Sequence, residues 1–225
     1  MQSLLPAPLS GEIDTDWRFI PSAELGGDAF GYHWLDRDHF AMYLLDVCGH
    51  GLAATLLATS VLTLLRAERL GAVDFREPAQ VLEALNDAFP MARHNDTYFT
   101  IWYGVFHKAK REIAYSSGGH PPALLFSPGA RKDARELATP NPMIGVAPGV
   151  SFSSGRQQVG PSDTMFLFSD GVYEITRTDG RLIGFDEFVA TLDAPALDAS
   201  VRFARDARGK DALDDDFSLV RVRFG

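Results

Sequence analysis

Four acidic sites, far apart along the chain, are of the kind that hold a cation. They are Asp28 after Gly26-Gly27, Asp46 in Leu44-Leu45-Asp46-Val47-Cys48-Gly49-His50-Gly51, Asp170 in Phe166-Leu167-Phe168-Ser169-Asp170-Gly171, and the triplet Asp214-Asp215-Asp216. Asp46 and Asp170 each end an apolar run. An aspartate at the end of a buried strand is costly to keep ionised without a partner, so the pattern outlines an oxygen-ligand metal centre. In the triplet each residue also suits a solvent-facing turn, and one contact to metal is all the site needs.

The elements around these residues must bring them together. Alternation through Trp17 and Phe19 predicts a strand from Ile13 that closes at Pro21. Residues 29–35 and 40–45 predict two strands joined by the polar turn Asp36-Arg37-Asp38-His39, a hairpin that would carry Asp28 and Asp46 to one end of a sheet. The adjacent glycines 26 and 27 would let the backbone approach closely there. A helix is predicted over 52–69, with Leu57, Val61, Leu64 and Leu65 on one stripe and Gly71 as its stop, and a second over 78–92 opening on Pro78. Both are expected on one sheet.

Strands follow at 97–106, 112–116 and 123–126, a loop-rich stretch at 129–148, and strands at 152–159 and 164–168. Phe185, Phe188, Val189 and Leu192 then mark a short helix, 197–208 a weaker one, and 217–224 the last strand. Met1–Gly11, with Pro6 and Pro8, is read as a lead-in or linker end, and residues 12–225 as a single domain.

A formal charge of −9, with Lys and Arg scattered, argues against nucleic-acid or anionic-membrane binding. The lone Cys48 excludes an internal disulfide, no stretch has the length and composition of a membrane span, and the start lacks a secretory signal. A soluble, cytoplasmic protein is the expectation.

Five motifs stand in order: Glu24-Leu25-Gly26-Gly27-Asp28, Asp46-Val47-Cys48-Gly49-His50-Gly51, Gly119-His120-Pro121-Pro122, Ser169-Asp170-Gly171-Val172-Tyr173-Glu174 and Asp215-Asp216-Phe217-Ser218-Leu219. Together they resemble the SpoIIE-type members of the PPM (type 2C) metal-dependent serine/threonine phosphatases. The resemblance implies an α+β fold, two antiparallel sheets packed as a sandwich with helices on both outer faces. It implies two Mn²⁺ or Mg²⁺ ions, with Asp46 shared between them, Asp28 and the Val47 carbonyl completing one site, and Asp170 with Asp215 completing the other, Asp216 being the alternate. Water activated by the two ions would attack phosphoserine or phosphothreonine in line. Asp46 and Asp170 would act in catalysis through that water.

The resemblance also implies a phosphorylated protein substrate, an anti-sigma-factor antagonist of STAS type, and an output domain behind a sensor or receiver domain, with a possible homodimer. Two rival readings are a phosphoprotein-binding module without catalysis and a di-metal enzyme on another phosphate ester such as a nucleotide. His50 is a candidate proton donor or simply a turn former, His120 reads as structural, and Cys48 as a small buried hydrophobe. Glu174 reads as a support or switch residue. No arginine stands out as a phosphate clamp beyond Arg18.

Overall fold

The computed structural model describes residues 4–22, 25–129, 134–192, 197–209 and 213–225. Its first half runs β1 (Ile13–Ile20), β2 (Ala29–Trp34), β3 (His39–Val47), α1 (Leu52–Arg66), α2 (Pro78–Ala88), β4 (Phe99–His107) and β5 (Glu112–Gly118). The second half runs β6 (Ala123–Phe126), β7 (Arg135–Leu137), β8 (Gly155–Gln158), β9 (Thr164–Phe168), α3 (Phe185–Val189), α4 (Leu197–Arg208) and β10 (Phe217–Phe224). The strands form two five-stranded sheets, β1-β10-β9-β6-β7 and β2-β3-β4-β5-β8. Every pairing between these strands is antiparallel.

Strand alternation sorts the core into three layers. In β3, Phe40, Met42 and Leu44 face the other sheet and meet Leu125, Leu167, Val220 and Val222. Its odd positions Ala41, Tyr43, Leu45 and Val47 face outward, under α1 and α2. On the opposite outer face, Phe166, Phe168, Phe217 and Leu219 pack beneath α3 and α4. The result is the expected αββα sandwich, with α1 and α2 on one sheet. Trp102 crosses the central layer, its indole N–H donating to the Leu137 carbonyl at 2.8 Å.

Several boundaries differ from expectation for local reasons. The second helix stops at Ala88, not 92, because Pro90 follows and holds Phe89 out of helical geometry (φ −123°, ψ 55°). The first helix ends at Arg66, before Glu68 takes a positive φ of 50°. The strand expected over 152–159 shrinks to Gly155–Gln158, since Ser153 bonds Asn141 through its backbone N–H (2.9 Å) instead of a ladder. Inside the loop-rich stretch lies β7, too short for its alternation to register. Residues read as a lead-in are seated on the sandwich: Leu5 and Leu9 pack against the central layer, and Pro6 and Ala7 carbonyls accept from Trp17 (2.9 Å) and Tyr32 (3.0 Å). No helix among the described residues is long and apolar enough to cross a membrane.

Candidate metal centre

The hairpin delivers two of the four carboxylates. Ala29 pairs with Leu45, so Asp28 and Asp46 flank one end of the β2–β3 ladder. Both continue the parity of the inward residues, Asp28 after Phe30 and Asp46 after Leu44, and so point where the apolar central layer gives way to polar side chains. From the other sheet, Leu219 pairs with Phe168, which sets the entry to β10 beside the exit of β9. Asp215 and Asp216 precede that entry, and Asp170 opens a single 3₁₀ turn, Asp170–Val172, just past that exit.

Glycine is required where these segments touch. A Cβ on Gly26 would lie 1.7 Å from the Asp216 carboxylate, and one on Gly27 2.5 Å from the Val47 carbonyl oxygen. A Cβ on Gly171 would lie 2.2 Å from the Asp216 carbonyl. The glycines next to Asp28 and Asp170 thus leave room for the Asp216 segment and for the Val47 carbonyl. The following helix is tied to the same loop: Gly51 N–H donates to the Leu25 carbonyl (2.6 Å) and the Thr55 hydroxyl to that of Gly26 (2.8 Å).

Electrostatically the cluster is uncompensated. Burial first, then Asp170 and Asp215, push the Asp46 carboxyl up to about 7. Burial and then Asp215 and Glu174 push Asp170 to about 6. Asp28, 2% exposed, is raised well above the carboxylate range by burial and by Asp46 and Asp216. Asp46 and Asp28 act on each other directly, Asp46 raising Asp28 further and Asp28 partly offsetting the rise of Asp46. The dominant influences on all three include no Lys or Arg side chain.

The terminal triplet resolves into distinct duties. Asp216, 2% exposed, accepts the backbone N–H groups of Ser22 (2.9 Å) and Asp28 (3.3 Å), so it serves the protein itself. Asp215 is exposed, and its charge acts on both Asp46 and Asp170. Asp214 is engaged by Arg208. Asp28 has one oxygen committed as well, accepting the Ser218 hydroxyl at 2.6 Å, and Ser169 also bonds it. As placed, no three His, Cys, Asp or Glu side chains among the described residues form a ready ligand cage.

The donor set nevertheless fits hard divalent ions. It is all oxygen and strongly negative, with no Lys or Arg among the dominant influences on it, and Gly27 leaves room for the Val47 carbonyl at the same end. Ser169 and Ser218 were not singled out by sequence reasoning as holders of Asp28. The available signal was parity, since Ser218 shares the inward face with Val220 and Val222.

Other candidates fare differently. His50 is exposed between Gly49 (φ 89°) and Gly51 (φ 92°), on the turn that opens α1. Cys48 is exposed, not buried as expected, because the chain leaves β3 at Val47 and turns outward. Arg18 is no clamp: its guanidinium is held by Asp198 (2.6 Å) and Asp16 (3.0 Å). Glu174 is exposed, its charge raising Asp170, and Glu24 lies outside the described residues.

Residues 36–225 match the family described as Stage II sporulation protein E (SpoIIE). Phosphoserine phosphatase RsbP of Bacillus subtilis (strain 168) is 26% identical over 231 residues, covering 98% of this chain and 55% of that protein. The chain spans about half the length of the curated relatives it matches first. The SiaA-PP2C domain of Pseudomonas aeruginosa superposes with a TM-score of 0.80 at 18% identity, covering 94% of this chain and 86% of that one. RsbX in complex with magnesium superposes with a TM-score of 0.71 at 14% identity, covering 96% and 98%. These structures share the fold.

Proposed function

The chain belongs to the SpoIIE family, and on that premise we propose that it is a metal-dependent serine/threonine phosphoprotein phosphatase. The observation that carries the proposal is the rim of Asp28, Asp46 and Asp170, raised by burial and by neighbouring acids, Asp215 among them, with no Lys or Arg among their dominant influences. Asp46 would contact both of two Mn²⁺ or Mg²⁺ ions, Asp28 and the Val47 carbonyl would complete one site, and Asp170 with Asp215 the other. When bound, such a pair supplies Lewis acidity, making water nucleophilic near neutral pH and offsetting charge on the phosphoryl group.

The chain's own groups supply the rest. Ser218 and Ser169 orient Asp28. Asp216 clamps the Ser22 and Asp28 backbone, while Asp215, its exposed neighbour, accepts the Asp216 N–H through Oδ1 (2.7 Å) and is the proposed ligand. His50, exposed at the start of α1, is the candidate proton donor to a departing serine oxygen. With Arg18 engaged elsewhere, substrate phosphate would be held through the ions.

The relative RsbP is named a phosphoserine phosphatase, which supports phosphoserine as the target. An anti-sigma-factor antagonist of STAS type is the proposed physiological substrate. The same proposal includes an output domain of a cytoplasmic bacterial signalling protein, behind a sensor or receiver domain, and a possible homodimer; the chain covers about half of each of its relatives RsbP and RsbU. The test is release of phosphate from a phosphoserine protein and from an aryl phosphate, with and without Mn²⁺. Metal-stimulated release that disappears in Asp46→Asn and Asp170→Asn is expected. A folded wild type with no release on any substrate favours the phosphoprotein-binding reading.

A further inference from the structure

His120 is a buried imidazole that the centre described above does not use. It is 7% exposed and follows Gly119, whose φ of 66° turns the chain sharply out of β5. Its Nδ1 lies 2.8 Å from the Thr100 hydroxyl oxygen. Thr100 stands directly opposite Asp46 in the β3–β4 register, on the same inward face as Trp102 and Phe106.

The other side of the ring looks to the other sheet. There the Phe168 carbonyl bears on the imidazole, but the buried Nε2 closes no hydrogen bond. Phe168 ends β9, two residues before Asp170. A carbonyl can only accept, so the tautomer with hydrogen on Nε2 serves both sides, leaving Nδ1 to accept the Thr100 hydroxyl. Burial keeps the ring neutral, its pKa pushed down to about 3. The ring is therefore bonded to the residue opposite one proposed ligand and set against the strand end that precedes another, without a closed hydrogen bond on that second side.

We propose that His120 is a positioning residue for the metal centre, a strut between the sheets that fixes how far the Asp46 end of β3 stands from the Asp170 end of β9. The proposal rests on reading those two aspartates as ligands of one pair of ions. Groups that orient ligands without touching the metal change metal affinity by roughly 10- to 100-fold when removed. The strut lies at the rim of the central layer, so its loss leaves the apolar core intact.

The test is Mn²⁺ affinity, read from the electron paramagnetic resonance of the free aquo ion, alongside the metal-free melting temperature and the split between kcat and KM. The variants are Thr100→Val, which keeps shape and removes the hydroxyl, Thr100→Ser, which restores it, and His120→Asn. We expect Thr100→Val and His120→Asn to weaken Mn²⁺ binding about tenfold and to lower kcat more than they raise KM, with Thr100→Ser within about twofold of wild type. Unchanged Mn²⁺ affinity in folded Thr100→Val overturns the strut alone. A wild type that binds no Mn²⁺ overturns the metal centre and the strut with it.

Discussion

The two ends of the β2–β3–β4 ladder treat carboxylates in opposite ways. At the end where β3 begins, acids meet cations: Asp36 bonds His39 (2.9 Å), Glu112 bonds Arg156 (2.9 Å), Glu12 bonds Lys108 (2.7 Å), and Asp74 nearby bonds Arg76 (2.7 Å). Backbone N–H donors and His39 lower Asp36, and Arg76 lowers Asp74. At the end where β3 finishes, burial and other acids raise Asp28, Asp46 and Asp170. Carboxylates exposed at the first end need only modest local pairing, and such pairs contribute little to stability. Those at the second end carry a standing cost that a bound cation would remove. An energetic cost concentrated at one rim is what the proposed metal centre would relieve.

Removing the shared carboxylate should break this contrast most severely. Asp46→Asn is expected to lower metal-stimulated phosphate release by on the order of 10³-fold, whereas Asp36→Asn at the other rim should leave it unchanged in the same assay. Steric substitution comes next. In Gly26→Ala the new methyl would overlap the Asp216 carboxylate, and chemical denaturation should show a loss of about 2–4 kcal/mol, with Mn²⁺ binding impaired in the fraction that folds.

The pH response distinguishes the rims more gently. In metal-free protein, between the unperturbed 3.8 and about 7, folded Asp46 holds a proton that the unfolded chain has released. Stability should therefore decline as pH rises through that window, by several degrees in melting temperature, and added Mn²⁺ should reverse the decline. Asp46→Asn should flatten the slope, and a slope identical to wild type would show that Asp46 is not the group responsible. The smallest effect is expected at the paired rim: Arg76→Ala should leave the melting temperature close to that of wild type, since that pair is half exposed and screened by solvent.

Much of this contrast was legible in the sequence. The apolar runs before Asp46 and Asp170 and the turn 36–39 sufficed to place Asp28 beside Asp46, because hairpin register leaves little choice. The triplet was not separable, since whether Asp215 or Asp216 faces outward depends on which backbone N–H groups arrive from residues 22 and 28, a contact nearly two hundred residues away in the chain. Cys48 misled for a similar reason: an apolar setting before it does not say where the strand ends. The contact of Ser218 with Asp28 follows from two sheets meeting, and the link from His120 to Thr100 from the chain turning back past the end of β5 onto β4, neither of which a local pattern encodes.

The central claim is that the acidic rim binds two divalent ions through Asp46. Mn²⁺ stoichiometry, measured by equilibrium titration of purified wild type, Asp46→Asn and Asp36→Asn, tests it most directly. The account predicts two equivalents per chain in wild type and in Asp36→Asn, and loss of tight binding in Asp46→Asn. Equal Mn²⁺ binding by Asp46→Asn and wild type would contradict it.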